Sequence, residues 1–229
     1  MVTGGARRLG SAISQALTAN GYRVVLHCFK SLEEAKKLAD SLDAGLVQGD
    51  LSRLEDVETL FAKATAVYGR IDHVVNNASA FTTLSIENTD IATYNLLMAL
   101  HSGAPFFLSK QLYLQVKARG GRGSVINIID SKVHNPSVSR PAYYCSKGAL
   151  LEQTRALAVA LAPYVRVNAI SPGPLLSNGD DAYFTKMETM LPLRKTGSEE
   201  DLCQAVLYLM RAPFVTAMDL AVDGGQRLL

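Results

Sequence analysis

The chain has no tryptophan and only three cysteines in 229 residues. Cys28, Cys145 and Cys203 show neither paired disulfide spacing nor the clustered spacing of metal ligands. That argues against a disulfide scaffold and a zinc site, so no metal is expected. The thiols read as reduced, which points to a cytoplasmic protein. An excess of one charge is also lacking, with 23 Lys+Arg against 21 Asp+Glu and a net charge of +2. This balance gives no electrostatic case for binding nucleic acid or a membrane surface. No apolar run of about 18 residues suggests a membrane span, and no signal peptide opens the chain.

Hydrophobic residues make up 48% of the chain, enough for a sizeable core. The length suits one domain of the larger α/β kind, and with no linker or repeat, residues 1–229 read as a single domain. Short β-branched runs at 22–27, 72–77, 124–129 and 165–170 alternate with helical patterns. In "LGSAISQALTANG", Leu9, Ile13, Ala16 and Leu17 recur on one face, and Asn20-Gly21 ends the pattern. Ser31 with Glu34 and Ser52 with Glu55 read as capping boxes, and residues 141–162 and 198–210 also read as helices. Apolar strands alternating with helices predict an α/β fold, a doubly wound parallel sheet of the Rossmann type with helices on both faces. The first strand is short, with only Met1 and Val2 before Thr3; the chain begins late or lacks a few residues there.

"VTGGARRLGSAI" joins that strand end to a helix. Glycines at such a turn let backbone N–H groups approach a phosphate, and the helix dipole adds to the attraction. After the second strand, an acid would read a ribose 2′-hydroxyl and a cation would suit a 2′-phosphate. The stretch here is "HCFKS", with His27, Lys30 and Ser31 and no acid before Glu33, which favours NADPH over NADH. "QGDLS" then places Asp50 to accept from an adenine amino group. Further on, Tyr143 and Lys147 lie one helical turn apart on one face, with Asp130 thirteen residues before the tyrosine.

"TGGARRLG", "GDLS", "NNAS", "YYCSK" and "SPGP", in this order and spacing, resemble the short-chain dehydrogenase/reductases over the whole chain. Three departures narrow the resemblance. Arg8 replaces the second-to-last glycine of TGxxxGxG, "NNASAF" replaces NNAG, and Asp130 replaces the catalytic serine. Together they resemble the pteridine reductases. His101 before Pro105, in place of the usual asparagine, and the tail "SNGDDAYFTKM…VDGGQRLL" look like the bacterial dihydromonapterin reductase branch. No catalytic role is assigned to His101.

The resemblance implies that Thr3, Gly4, Arg8, Leu9 and Gly10 line the pyrophosphate, and that His27, Lys30 and Ser31 hold the 2′-phosphate. It puts Asp50 and Leu51 at the adenine and Asn77 and Ala78 beneath the ribose. Tyr143 and Lys147 would hold the nicotinamide ribose and serve the chemistry. Ser171, Gly173 and Leu175 would cover the nicotinamide. Arg8, Ser79, Phe81, Asp130 and Tyr143 would face a small-molecule pterin. The family also implies a homotetramer built through the helices at 87–117 and 141–162 and the last edge strand.

Reducing a C=N bond takes a hydride for carbon and a proton for nitrogen. The nicotinamide supplies the first, and a positioned acid supplies or relays the second. An unperturbed tyrosine, near pKa 10, is a slow relay at neutral pH, and the positive charges of Lys147 and the oxidised nicotinamide are expected to lower it. Phe81, five residues past Asn76, offers a face for a flat ring. Residues 175–197 read as a loop and helix that close over substrate. The leading expectation is an NADPH-dependent dihydropterin reductase, acting on dihydromonapterin or dihydrobiopterin, with dihydrofolate left open. Two alternatives stand beside it. One is a carbonyl reductase, such as a 3-oxoacyl thioester reductase; the other is an NADPH-sensing protein without turnover.

Overall fold

In the computed structural model of the chain, residues 1–176 and 181–229 are described. Six strands run parallel: β1 (Val25–Cys28), β2 (Gly45–Gln48), β3 (His73–Asn76), β4 (Gly123–Ile128), β5 (Val165–Pro172) and β6 (Asp219–Val222). Val2 bridges both Leu26 and Val75, so the opening residues lie between β1 and β3 and join the two groups of strands into one sheet. Short as it is, this segment is fully laddered. Val2 N–H donates to Val25 O and His27 N–H to Val2 O on one side; Val75 N–H donates to Met1 O and Thr3 N–H to Val75 O on the other. The spatial order is β2, β1, residues 1–3, β3, β4, β5, β6. The connections reverse direction between the opening segment and β3, the place where ligands of open α/β sheets bind.

Strand residues alternate between two cores, as the two-residue period of a strand requires. Val74, Val125 and Val167 face α3 (Val57–Tyr68), α5 (Ala104–Ala118) and α6 (Pro141–Ala160), against Leu60, Leu108, Leu112 and Leu157. Val75, Ile126 and Ile170 face the other way, against Ile13 and Leu17 of α1 (Arg8–Ala19) and Leu202, Val206 and Leu209 of α8 (Glu199–Arg211). α2 (Leu32–Leu42) adds Ala39 to this second core. Each such leucine contributes about 1.5–3 kcal/mol by leaving water. Two further helices are α4 (Ile91–Met98) and α7 (Asp181–Met190). A π-helical turn, Ala99–Gly103, joins α4 to α5 within the stretch expected to be helical throughout. Among the described residues, no helix is long and apolar enough to cross a membrane.

Both expected capping boxes are absent. Ser31 caps α2 by position but makes no side-chain bond, and its backbone (φ −88°, ψ 53°) is not extended as a capping residue's usually is. The Ser52 hydroxyl and amide both donate to Asp50, and a 3-10 turn, Leu54–Asp56, precedes α3. The capping box that forms is Ser198 with Asp201 at the start of α8. The last strand is 219–222, and Gly224 and Gly225 turn the chain after it at φ of 60° and 90°.

Candidate active site

The segments that follow the strands gather at the carboxyl edge of the sheet. The glycine turn is a close-packed piece of backbone. A Cβ on Gly10 would sit 2.0 Å from the Gly4 carbonyl oxygen, and one on Gly4 would sit 3.1 Å from Ala78 Cα. Gly4 also takes φ of 59°, a left-handed value open to glycine. Arg8, at the start of α1, holds φ of 52° with a full side chain.

Polar side chains lock this turn from below. Thr3 Oγ1 donates to Val75 O and accepts from the Asn77 and Ala78 N–H groups. Asn77 Nδ2 donates to Thr3 O and Gly4 O. His27 Nδ1 accepts from Gly4 N–H at 3.2 Å, so its Nε2 carries the proton and donates to Gly49 O at 3.1 Å. Burial drives its pKa down to about 4, with the Gly49 bond and Asp50 opposing, so the ring is neutral. With both nitrogens spent, His27 braces the turn and has no donor left for a 2′-phosphate. Lys30, exposed beyond β1, remains a cation beside Ser31.

Side chains also turn inward at three other expected contacts. Leu51 is buried in the core beside α3, and Leu175 packs into the α1–α8 core. Ser171 Oγ donates to Asp219 Oδ1 at 2.6 Å. These three residues have backbone, not side chain, to offer a ligand. Gly173 is held to glycine by packing, since a Cβ there would lie 2.7 Å from Asp223 Cα. Asp50 Oδ1 is taken by Ser52.

Tyr143 Oη donates to Asp130 Oδ2 at 3.1 Å, while Asp130 Oδ1 accepts from Lys132 N–H at 2.8 Å. The chain thus brings the acid and the phenol together across thirteen residues. Lys147 Nζ is fully buried and donates to Ile128 O at 2.8 Å. Burial pulls Lys147 down to about 8, with Asp130 opposing. Tyr143 is pushed well above its ordinary value, first by burial, then by the Asp130 charge and hydrogen bond, with Arg140 opposing. Burial and Asp130, not Lys147, set this direction: the ammonium is turned to the β4 carbonyl, and the group bonded to the phenol is a carboxylate. Tyr143 is a protonated donor to Asp130.

Phe81 meets the Tyr143 ring edge-on at 5.4 Å and is 55% exposed, so it is a surface of the site and not core. The Arg140 guanidinium lies 4.5 Å from the Phe81 ring centre, a cation that the sequence reading missed. His101, in the π-helical turn, stands edge-on to Tyr143 from a second side at 5.5 Å. Its Nε2 accepts from Ala80 N–H, with Ser79 Oγ at 3.0 Å; its Nδ1 then donates to Ser146 Oγ, which donates to Tyr143 O. Burial, and secondly Lys147, hold its pKa down to about 2. A neutral brace, not a charged group, thus stands where asparagine was expected.

A protein-family model described as Enoyl-(Acyl carrier protein) reductase matches residues 4–227. The chain belongs to the short-chain dehydrogenase/reductase superfamily. It is an oxidoreductase enzyme. Pteridine reductase 1 of Leishmania tarentolae is 32% identical over 278 residues, covering all of this chain and 96% of the relative. A Streptomyces violaceoruber chain named for a ketoacyl reductase of the granaticin polyketide synthase is 36% identical, covering all of this chain and 96% of the relative. Among solved structures, FolM alternative dihydrofolate reductase 1 from Brucella canis, complexed with NADP, superposes with a TM-score of 0.93 at 36% identity. That match covers all of this chain and 93% of the other.

Several features of this short-chain dehydrogenase/reductase fit a dinucleotide. The glycine turn is a cradle that any Cβ would fill. The Lys147 ammonium has three donors, of which one goes to Ile128 O. Of the expected substrate-covering segment 175–197, residues 177–180 lie outside the described residues; α7 and the turn to Gly197 follow. A cavity of about 390 Å³ lined by Tyr22, Arg23, Asp72 and His73 opens at the amino ends of the strands, the opposite edge, and holds none of these groups. Among the described residues, no His/Cys/Asp/Glu group is arranged to hold a metal.

Proposed function

We propose that this enzyme reduces dihydropterins such as dihydromonapterin or dihydrobiopterin to their tetrahydro forms, with dihydrofolate a further substrate of the same ring. The cofactor is NADPH. The Tyr143–Asp130 hydrogen bond carries the reading. A serine at position 130 would orient a carbonyl oxygen, whereas a carboxyl group can accept, donate and relay a proton to a ring nitrogen. Support comes from the pteridine reductase and the NADP-complexed FolM relatives and from Phe81, a half-exposed ring beside the tyrosine.

In this reading Thr3, Gly4, Arg8, Leu9, Gly10 and Asn77 hold the nucleotide through backbone and turn contacts, with Lys30 and Ser31 at its 2′-phosphate. Bound there, NADPH supplies hydride to the substrate carbon. The chain's part is the proton. A tyrosine held well above its ordinary pKa is a weak acid, so Tyr143 acts by orienting Asp130. Asp130, half-buried and reachable from solvent, takes up a proton and passes it to the ring nitrogen beside the carbon being reduced. The Lys147 ammonium offsets negative charge at the pair.

We further propose that the chain works as one domain in the cytoplasm. Apolar residues exposed on α4 to α6, among them Ile91, Phe106, Leu114 and Val159, are consistent with a homotetramer. The 36% identity to a chain named for a ketoacyl reductase favours a second reading, reduction of 3-oxoacyl thioesters. NADPH oxidation followed with dihydrobiopterin, dihydrofolate and an acetoacetyl thioester side by side decides between them. Turnover with the dihydropterin is expected, and consumption with the thioester alone overturns the proposal.

A further inference from the structure

Gln226 lies in the turn after β6 and is buried, yet no step described above uses it. Its Oε1 accepts from Ser131 Oγ at 2.5 Å. Its Nε2 donates to Tyr183 Oη at 3.1 Å and faces Met187 Sδ at 3.6 Å. Ser131 adjoins Asp130 and opens the short 3-10 helix, Ser131–Val133, that Asp130 caps through Lys132 N–H. Tyr183 and Met187 are one turn apart on α7. One side-chain amide therefore joins α7 to the turn that aims the acid at Tyr143.

The C-terminal turn is built to hold that amide in place. Asp223 Oδ1 accepts from Gly225 N–H and its Oδ2 from Arg227 N–H, bracketing Gln226. The positive φ of Gly224 and Gly225 lets the turn lie against the end of α7, where a Cβ on Gly225 would come within 2.6 Å of Pro192 Cγ. Met187 and Leu191 are buried at the same contact. A buried amide with both ends paired fixes relative position more narrowly than apolar packing does, because its bonds are directional.

We infer that Gln226 is a positioning residue for Asp130: it ties the acid's turn to α7, so the carboxylate is aimed correctly only while α7 is docked. The inference rests on the reading of Asp130 as the proton donor, but the coupling itself can be read without turnover. Gln226→Leu fills a similar volume and supplies neither bond, while Ser131→Ala cuts the link on the acid's side alone.

The test measures amide hydrogen exchange of the full chain with NADPH, and NADPH oxidation with dihydrobiopterin, for wild type, both single variants and the double. Exchange in residues 129–134 is expected to quicken in Gln226→Leu and Ser131→Ala while β4 and β5 stay protected. kcat is expected to fall roughly 10-fold or more, as for a slightly misplaced group, with the KM for NADPH unchanged. The double variant should lose little more than either single, because the two changes break one link. Wild-type exchange at 129–134, additive losses in the double, or faster exchange across the whole chain would each overturn the inference. Should Gln226→Leu not fold, Ser131→Ala decides by the same readings. If the wild type reduces no dihydropterin, the proposed substrate fails, and the exchange measurement still decides the coupling.

Discussion

Two turns at the carboxyl edge of the sheet are built in opposite ways. In the glycine turn, Thr3, Asn77 and His27 spend their polar atoms on neighbouring backbone. Nothing there is left reactive, and what it offers a ligand is shape and N–H groups. Around Asp130 the polar atoms are buried with their charges in tension. Lys147 is an ammonium lowered to about 8 with one carbonyl partner, and Tyr143 is a phenol that burial and an acid hold protonated. Saturated hydrogen bonding gives a binding surface its precision, whereas strained charge in low dielectric gives a reacting group its drive. The two jobs need different surroundings, and the fold keeps them on separate turns.

Gly10→Ala should separate the two regions most sharply. Its Cβ would meet backbone, which cannot move aside as a side-chain tip can. NADPH affinity should fall by several kcal/mol, or the turn should unfold, on the scale of overpacking and backbone strain. Calorimetric titration with NADPH checks this, and near-normal binding would mean the turn is softer than its hydrogen bonds imply.

Acid should weaken the fold in several places: through His27 in the glycine turn, His73 at the opposite edge of the sheet and His101 beside Tyr143. His27 and His73 are both lowered from 6.5 to about 4 chiefly by burial. Between these values the unfolded chain binds protons that the folded chain refuses. Stability is therefore full above pH 6.5 and is lost as pH falls towards 4, by roughly 3 kcal/mol for each ring. Denaturant midpoints measured from pH 7 to 4 test this, and His27→Asn should flatten part of the slope.

The smallest effect concerns Lys30, the residue proposed to hold the 2′-phosphate beside Ser31. Lys30→Ala should weaken NADPH by about 1.5–3 kcal/mol and leave NADH almost unchanged. Equal losses for both cofactors would remove Lys30 from that role.

Period and spacing made the scaffold readable. The apolar runs around 74–75, 125–126 and 167–170 place successive residues in the two opposed cores, and Asp130 meets Tyr143 across thirteen residues. What the sequence could not show were the choices among competing partners. His27 looks like a phosphate ligand beside Lys30 until its ring is found between Gly4 and Gly49. Lys147 seems aimed at Tyr143 one turn away, yet the Ile128 carbonyl is its partner. Ser52 had a glutamate three residues on, but Asp50 two residues back captured its hydroxyl. Arg140 and Gln226 gave no local signal at all, since Phe81 and Ser131 reach them only through the fold.

That Asp130 is the group that protonates the substrate is most directly tested by Asp130→Ser, assayed with NADPH and dihydrobiopterin from pH 5 to 8, beside a simple activated ketone. Turnover of the pterin should fall by roughly 10²-fold or more, the scale of losing one general acid. The acid limb of its pH profile should change, and any weak ketone reduction should survive. A variant that keeps both its pterin turnover and its pH profile would show that the carboxylate serves only to cap the turn at Lys132.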